Sequence, residues 1–141
     1  MKSSAWIVDI DGTLALGCFG EPGRRGPYDW NRVGEDDPNL PVIFLSNALA
    51  AFLDIVLVSG RDECCRGETE DWLARHHVSW SALHMRPNQD YRPDGEVKSE
   101  IYHRDIVPNW DVLGVLDDRD QVVEMWRGLG LLCCQVAPGA F

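Results

Sequence analysis

The chain contains 141 residues and carries a formal net charge of −10 at pH 7. This length predicts a single domain over residues 1–141 that is built on one hydrophobic core. The negative charge argues against broad adhesion to nucleic acid, because such adhesion depends on a basic surface that displaces counterions. Any contact with a nucleic acid should therefore be confined to an end of the polymer.

Other features of the composition bear on location and surface. The longest apolar run, residues 48–58, is interrupted by Asp54, and the first residues contain no apolar signal sequence, so we expect no membrane contact. The five cysteines have no metal-ligand spacing and predict reduced thiols in a cytoplasmic protein. Several acidic residues are expected on solvated faces: Glu35, Asp36, Asp37, Glu68, Glu70 and Asp71.

The first predicted element is a short buried strand, Ala5–Val8, which is followed by a turn at Gly12. Asp9 and Asp11 lie at the exit of this strand. Side chains alternate faces along a strand, so carboxylates two residues apart project toward one site beyond the strand end. The pair also has a purely structural interpretation, in which an aspartate ends the strand and Thr13 begins a capping hydrogen bond. The functional interpretation is favoured only if other residues with suitable chemistry occur at the ends of later strands.

A loop and a helix come next. Residues 14–29 are rich in glycine and proline, a composition that disfavours regular structure. Because Arg24 and Arg25 lie in this loop beside the acidic pair, we favour a lid or substrate gate over a plain connection. A helix should begin within Asp37–Pro41, since proline is tolerated in a first helical turn. Its apolar positions should pack on the sheet: Val42, Leu45, Leu49, Phe52 and Leu53.

Strands and helices alternate through the rest of the chain. Strands are predicted at Ile55–Val58, Ala82–Met85, Val112–Leu116 and Leu131–Val136, and helices at Glu68–His77, Glu96–Arg104 and Asp120–Gly128. This alternation predicts an α/β fold with a doubly wound five-stranded parallel sheet. The ligand site of such a sheet lies outside the carboxyl ends of its strands, where the strand order reverses. The intervals between strands are too short for a separate cap domain, so the site should be open to a polymer end.

Side chains with useful chemistry recur at the strand ends. Ser59-Gly60-Arg61 follows the second strand, Lys98 lies in a predicted helix, and Asp117-Asp118-Arg119 follows the fourth strand. An acid pair, a hydroxyl, a lysine and a second acid pair in this order resemble the haloacid dehalogenase-like phosphohydrolases. The resemblance implies that the first strand lies between the second and the fourth, which would bring Asp9, Asp11, Ser59 and Asp118 together.

Further motifs extend the resemblance over nearly the whole chain: Arg25-Gly26-Pro27-Tyr28-Asp29, Met85-Arg86, Arg92-Pro93-Asp94, Val97-Lys98, Asp117–Arg127 and Cys134–Phe141. Together they look like the 3'-phosphatase domain of bacteriophage polynucleotide kinase/phosphatase. This similarity implies Mg²⁺-dependent removal of the 3'-phosphate from an end of RNA or DNA. The family's bifunctional members also carry a kinase module. Because this chain has no Gly-x-x-x-x-Gly-Lys-Ser/Thr phosphate loop, we expect no 5'-kinase activity.

The resemblance also implies roles for the two acid pairs. Asp9 would attack phosphorus and form an aspartyl-phosphate, while Asp11 would protonate the departing oxygen and later take a proton from water. The side chains of Asp9 and Asp118 would bind Mg²⁺ together with the main-chain carbonyl of Asp11. Asp117 would contribute to the metal site through water, or would instead hold Arg119 by an ion pair.

The remaining site residues would contact the phosphoryl group or the substrate that bears it. Ser59 would hydrogen-bond the transferring phosphoryl group, and Lys98 would balance the charge of Asp9 and the phosphate. The residues that match substrate-contacting positions of the family are Arg25, Arg61, Arg86 and Asp94. Trp30 could stack on a terminal base, although packing in the fold is the favoured interpretation.

Two other functions stay open at the level of sequence. One is a phosphatase of the same superfamily that acts on nucleotides or other small molecules. The other is a phospho-acceptor module that resembles a two-component receiver, which needs an acceptor aspartate but no second acid two residues later. Asp11 and the late position of the second acid pair favour an enzyme. The oligomeric state is not determined by the sequence.

Overall fold

The computed structural model describes residues 1–141 and is organised around a five-stranded parallel sheet. In chain order the strands are β1 (Ser3–Val8), β2 (Ala15–Leu16), β3 (Asp37–Pro38), β4 (Asp54–Asp62), β5 (Ala82–Arg86), β6 (Trp110–Asp117) and β7 (Cys133–Gln135). The helices are α1 (Leu40–Ala50), α2 (Arg66–Arg75), α3 (Asp94–Ile101) and α4 (Asp120–Gly128). Shorter turns occur at Trp30–Glu35 and Glu63–Cys65, both 3₁₀, and at Tyr102–Ile106, which is a π-helix.

The order of the main sheet is β5-β4-β1-β6-β7, and every neighbouring pair is parallel. This confirms the predicted doubly wound sheet and the expected position of the first strand between the second and the fourth. The strand order reverses at β1, so the segments that follow β1, β4 and β6 meet at one crevice. Among the residues predicted to carry chemistry, Asp9 and Asp11 follow β1, Ser59 and Arg61 lie near the end of β4, and Asp117 and Asp118 lie at the end of β6.

Apolar side chains cover both faces of the sheet, which is why its central strands are nearly continuous hydrophobic runs. Val8 belongs to a core cluster on one face together with Leu57 and Trp72. Its neighbour Ile7 belongs to a second cluster on the other face, together with Trp126. These two layers fix β1 from both sides and hold its carboxyl end in place.

The segment between β1 and β4 differs from the prediction in two ways. The glycine-rich loop contains the short strand β2, which pairs antiparallel with β3, and the helix α1 buries a different face from the predicted one. The helix begins at Leu40, within the predicted range Asp37–Pro41. The residues of α1 that are buried are Val42, Ile43 and Ser46, whereas the predicted inward residues Leu45 and Phe52 are exposed. The prediction failed because α1 is apolar on all sides, so periodicity does not select a face. No inserted domain occurs in this segment.

Smaller differences concern element ends. The second main strand continues past Val58 to Asp62, and the last strand is limited to Cys133–Gln135. The helix expected at Glu96–Arg104 begins at Asp94, directly after Pro93, and the acids Asp94 and Glu96 lie in its first turn, where the helix dipole favours negative charge. All five cysteines are free thiols. None of the helices combines the length and the apolar character that crossing a membrane requires.

Candidate active site

Three buried aspartates and one buried lysine form the centre of the site. One carboxylate oxygen from each of Asp9, Asp117 and Asp118 lies within 4.8 Å of the others. The Nζ atom of Lys98 donates to Oδ1 of Asp9 at 2.7 Å and to Oδ2 of Asp117 at 3.1 Å. Lys98 lies on α3, so a helix supplies the cation for aspartates that follow β1 and end β6. The fold thus assembles residues that are far apart in the sequence.

The position of Asp9 is fixed at both of its carboxylate oxygens. Oδ1 accepts from Lys98, and Oδ2 accepts from the hydroxyl of Thr13 at 3.0 Å. Gly12 adopts φ +81°, and a side chain there would overlap the carboxylate of Asp118. The turn after β1 therefore requires glycine, both for its backbone conformation and for the close approach of Asp118.

The cluster holds more negative charge than its lysine balances. Burial, followed by the charge of Asp117, raises the pKa of Asp9 well above its ordinary value and raises the pKa of Asp118 to about 6. For Lys98, burial alone would lower the pKa, but the charges of Asp117 and Asp9 outweigh it and raise the pKa. A set of buried carboxylate oxygens with uncompensated charge is chemically suited to a divalent cation. Asp9, Asp117 and Asp118 are the residues that could hold one.

The raised pKa of Asp118 predicts a pH-dependent stability in metal-free buffer. The unfolded chain releases this proton near the ordinary value of 3.8, whereas the folded protein keeps it up to about 6. The resulting stabilisation is full below the unfolded pKa and is lost as the pH rises through the folded pKa. Relative to Asp118→Asn, the wild type should therefore lose about 1–2 kcal/mol of unfolding free energy between about pH 4 and pH 7. Urea unfolding with EDTA measures this, and a constant or growing difference would contradict it.

A second buried group surrounds Asp11. The guanidinium of Arg61 donates to Oδ1 of Asp11 from Nε at 3.1 Å and from Nη2 at 2.8 Å, and Arg25 Nη2 reaches the same oxygen at 3.3 Å. Both arginines also bind Asp36, with Arg25 Nε at 2.6 Å and Arg61 Nη2 at 2.9 Å from its carboxylate. Arg61 donates in addition to the hydroxyl of Thr69 at 3.1 Å. These contacts form a closed network of two cations and two anions.

The predicted position of Asp36 on a solvated face is wrong, since this residue is only 4% exposed. The 3₁₀ turn at Trp30–Glu35 carries it inward, where two buried guanidinium groups need a carboxylate. Nothing in the sequence separates Asp36 from the neighbouring acids Glu35 and Asp37. The available signal was the presence of Arg25 and Arg61 near an acidic pair, because buried arginines require a counter-charge.

The network determines the ionisation of Asp11. Burial would raise the pKa of this carboxyl, but the charge and hydrogen bonds of Arg61, with the charge of Arg25, more than offset it and lower the pKa. Arg25 and Arg61 are themselves buried, and protein acceptors bind their guanidinium groups in this structure. They hold Asp11 in place, while their predicted contact with substrate stays a prediction.

Asp36→Ala should be strongly destabilising, because it leaves Arg25 and Arg61 buried with one carboxylate fewer. We expect a loss of about 3–5 kcal/mol in the free energy of unfolding, measured by urea denaturation. The matched control is Asp37→Ala, which removes a surface ion pair with Arg24 at 3.0 Å and a weak contact from the Cys18 thiol, and which should cost about 0–1 kcal/mol. Similar losses in the two variants would contradict a structural role for the buried network.

The other predicted substrate residues form one ion pair at the cavity wall. Nη2 of Arg86 donates to Oδ1 of Asp94 at 2.6 Å, and its Nε donates to the carbonyl of Gly60 at 2.8 Å. A side chain at Gly60 would overlap the Asp94 carboxylate, so glycine is needed for this approach. Ser59 is fully buried, and its hydroxyl accepts from the backbone N–H of Arg61 at 3.1 Å. Its predicted contact with a phosphoryl group stays a prediction.

A cavity of about 900 Å³ opens at the carboxyl edge of the sheet. The predicted site residues that line it are Asp9, Asp11, Arg86, Asp94, Lys98, Asp117 and Asp118. Ser59, Arg25 and Arg61 lie behind this lining. Aromatic residues also contribute to the walls, and Trp30 is the one among them for which the sequence indicated possible stacking on a base.

A doubly wound parallel sheet with an aspartate pair after its first strand, a buried lysine and a second aspartate pair is typical of haloacid dehalogenase-type phosphatases. The site is that of a phosphoesterase. The chain belongs to the family of polynucleotide kinase PNKP phosphatase domains, whose model matches residues 3–141. This confirms the family resemblance that the motifs indicated.

The chain is also similar to two proteins of known structure and to one viral protein. A structure of the Pnkp1/Rnl/Hen1 RNA repair complex contains a chain with 36% identity and a TM-score of 0.92, over 99% of this chain and 44% of that one. A second Pnkp1/Rnl/Hen1 complex gives 38% identity and a TM-score of 0.90, over 98% and 47%. A predicted bifunctional polynucleotide kinase/RNA ligase of Autographa californica nuclear polyhedrosis virus is 36% identical over 129 residues, which is 89% of this chain and 18% of that protein. The chain thus spans less than half of each relative.

Proposed function

We propose that this domain is a Mg²⁺-dependent polynucleotide 3'-phosphatase that acts on ends of RNA or DNA and lacks 5'-kinase activity. The observation that carries the proposal is Asp9, held by Lys98 and Thr13 at the bottom of an open cavity, with the arginine-bound Asp11 beside it. Membership of the PNKP phosphatase family supports a polynucleotide substrate, and the similar chains in RNA repair complexes support RNA.

The reaction begins at Asp9. A carboxylate oxygen of Asp9 forms a bond to phosphorus while the bond from phosphorus to the 3'-oxygen breaks, and Asp11 gives that oxygen a proton. Water then attacks the aspartyl-phosphate, Asp11 accepts the proton, and inorganic phosphate leaves as the Asp9 carboxylate is restored. The two hydrogen bonds to Asp9 restrict its carboxylate to one orientation, which favours attack in line.

Two groups offset the negative charge that opposes this attack. Mg²⁺ held by Asp9 and Asp118, with Asp117 nearby and the Asp11 main-chain carbonyl as a further ligand, would neutralise charge on the carboxylates and the phosphate. Lys98 keeps its own charge because Asp117 and Asp9 raise its pKa, although burial opposes this. It therefore remains a counter-charge to Asp9 throughout turnover.

Asp11 must carry a proton in the first step, although Arg61 and Arg25 keep its pKa low in the free protein. A phosphate dianion that enters the cavity raises the pKa of a nearby carboxyl, so bound substrate promotes its protonation. Once the leaving group has departed, the same arginines favour the carboxylate form that accepts a proton from water. The network thus suits Asp11 to both steps.

The test is release of inorganic phosphate, with Mg²⁺, from an oligonucleotide that bears a 3'-phosphate. The comparison substrates are its 5'-phosphate isomer and a 3'-mononucleotide. A clear preference for the 3'-phosphorylated oligonucleotide, with no transfer of phosphate from ATP to a 5'-hydroxyl, supports the proposal. Equal or better turnover of the mononucleotide would assign the site to small-molecule phosphates instead, and a stable phosphoprotein without turnover would indicate a phospho-acceptor module.

A further inference from the structure

We infer that exposed aromatic side chains at the mouth of the catalytic cavity, above all Tyr28 and Tyr91, bind the unpaired bases next to the 3'-phosphate by stacking. This inference rests on the proposed function, since it names how that site selects a polymer end. It assigns a binding role to residues that take no part in the chemistry.

Three separate segments bring aromatic rings to this one cavity. Tyr28 is 81% exposed, Tyr91 is 90% exposed and Phe141 is 64% exposed, and all three line the same cavity as Asp9. Exposed rings lose the hydrophobic stabilisation that burial gives, so several around one opening indicate an interaction site. Nucleobases suit such rings because every base has an apolar face that can stack on them.

Contacts of neighbouring residues hold the segments that carry these rings. Asp90 and Arg92 flank Tyr91 and form an ion pair with a distance of 2.6 Å between Oδ2 and Nη2. The carbonyl of Asp90 also accepts from Nη1 of Arg86 at 3.1 Å. The ring of Tyr28 meets Trp30 edge to face, with ring centroids 6.2 Å apart. Preorganised rings of this kind lose little conformational entropy when a base binds.

The charges at the cavity favour base contacts over contacts with a run of phosphates. The arginines of the lining already have partners: Arg86 binds Asp94, Arg92 binds Asp90 and Glu100, and Arg119 donates to the carbonyl of Phe141. In a protein with a net charge of −10, no basic track is left to follow a nucleic-acid backbone. Stacking supplies affinity for a polymer without such a track. Paired bases within a duplex hide their faces, so the ligand is an unpaired 3' end.

The variants Tyr28→Ala and Tyr91→Ala test the inference. Each should lower kcat/KM for a single-stranded 3'-phosphorylated oligonucleotide about tenfold, with a much smaller effect on p-nitrophenyl phosphate, which has no base. Tyr28→Phe and Tyr91→Phe should keep most of the activity because stacking needs the ring and not the hydroxyl. The matched control is Phe52→Ala. Phe52 is 91% exposed but lies two residues before the start of β4, at the opposite edge of the sheet, so its replacement should change kcat/KM for neither substrate.

An oligonucleotide with abasic sugars next to the 3'-phosphate completes the design. Wild-type kcat/KM should fall on this substrate, and the two alanine variants should show no further loss. The stacking inference is wrong if both alanine variants have the wild-type kcat/KM on the normal oligonucleotide. It is also wrong if the alanine substitutions lower kcat/KM by the same factor on the abasic oligonucleotide as on the normal one. In either case the proposed function stands. If the wild type hydrolyses p-nitrophenyl phosphate but no 3'-phosphorylated oligonucleotide, the proposed function itself fails.

Discussion

Replacement of Asp9 by asparagine is expected to lower phosphate release from a 3'-phosphorylated oligonucleotide by at least about 10⁴-fold. The amide cannot form the acyl phosphate, although it fills the same space. Asparagine keeps one oxygen that can accept from Lys98, and its amide N–H can donate to the Thr13 hydroxyl, which donates to Asp9 at 3.0 Å in the wild type. The expected loss is therefore chemical and should appear in kcat.

The matched control for this variant is Asp111→Asn. Asp111 is an exposed aspartate near the start of β6, at the edge of the sheet away from the cavity. It should keep the wild-type rate, and both variants should show the wild-type near-UV circular dichroism. If folded Asp9→Asn retained activity within tenfold of the wild type, Asp9 would not be the nucleophile.

Asp11→Asn should separate substrates by their leaving groups. An alkoxide leaves poorly without a proton, so release from the 3'-phosphorylated oligonucleotide should fall about 10²–10⁴-fold. The p-nitrophenolate ion leaves well without protonation, so the loss in the first step should be much smaller on p-nitrophenyl phosphate. Burst kinetics on that substrate measure the first step apart from hydrolysis of the aspartyl-phosphate. Equal losses in the first step on both substrates would contradict the assignment of Asp11 as general acid.

Structural damage must be distinguished from this chemical effect, because Asp11 also receives hydrogen bonds from Arg61 and Arg25. Asparagine keeps one acceptor oxygen, and Asp36 still binds both guanidinium groups. We therefore expect Asp11→Asn to be much less destabilised than Asp36→Ala in urea denaturation. The ratio of the first-step rates on the two substrates does not depend on the fraction of protein that is folded. This ratio therefore isolates the effect of the proton that Asp11 supplies.

The sheet and the central cluster could be predicted because each critical strand has a local signal. The apolar runs before Asp9, Ser59 and Asp117 mark buried parallel strands, and the family resemblance implied the strand order that brings the ends of these strands together, an order that the structure has. Lys98 was recognisable only together with these residues, since a single lysine in a helix is usually solvated. The structure brings its Nζ atom to Asp9 and Asp117.

The predictions that were wrong concern features that depend on tertiary packing, which short sequence patterns do not encode. Asp36 has acidic neighbours on both sides, and only the path of the chain after Trp30 makes it the buried one. In α1, apolar side chains surround the helix, so the pattern could not show that Leu45 would be exposed. The aromatic rings at the cavity lie on segments far apart in sequence, and their common location follows only from the fold.

Acid quenching of a single turnover tests the central claim most directly. The wild type is mixed with excess Mg²⁺ and a limiting amount of an oligonucleotide whose 3'-phosphate is radiolabelled, quenched in acid, digested and mapped by peptide. The account predicts a transient, base-labile label on the peptide that contains Asp9, which then gives way to inorganic phosphate. Release of phosphate without labelled protein at any time, or a label on a peptide without Asp9, would contradict it.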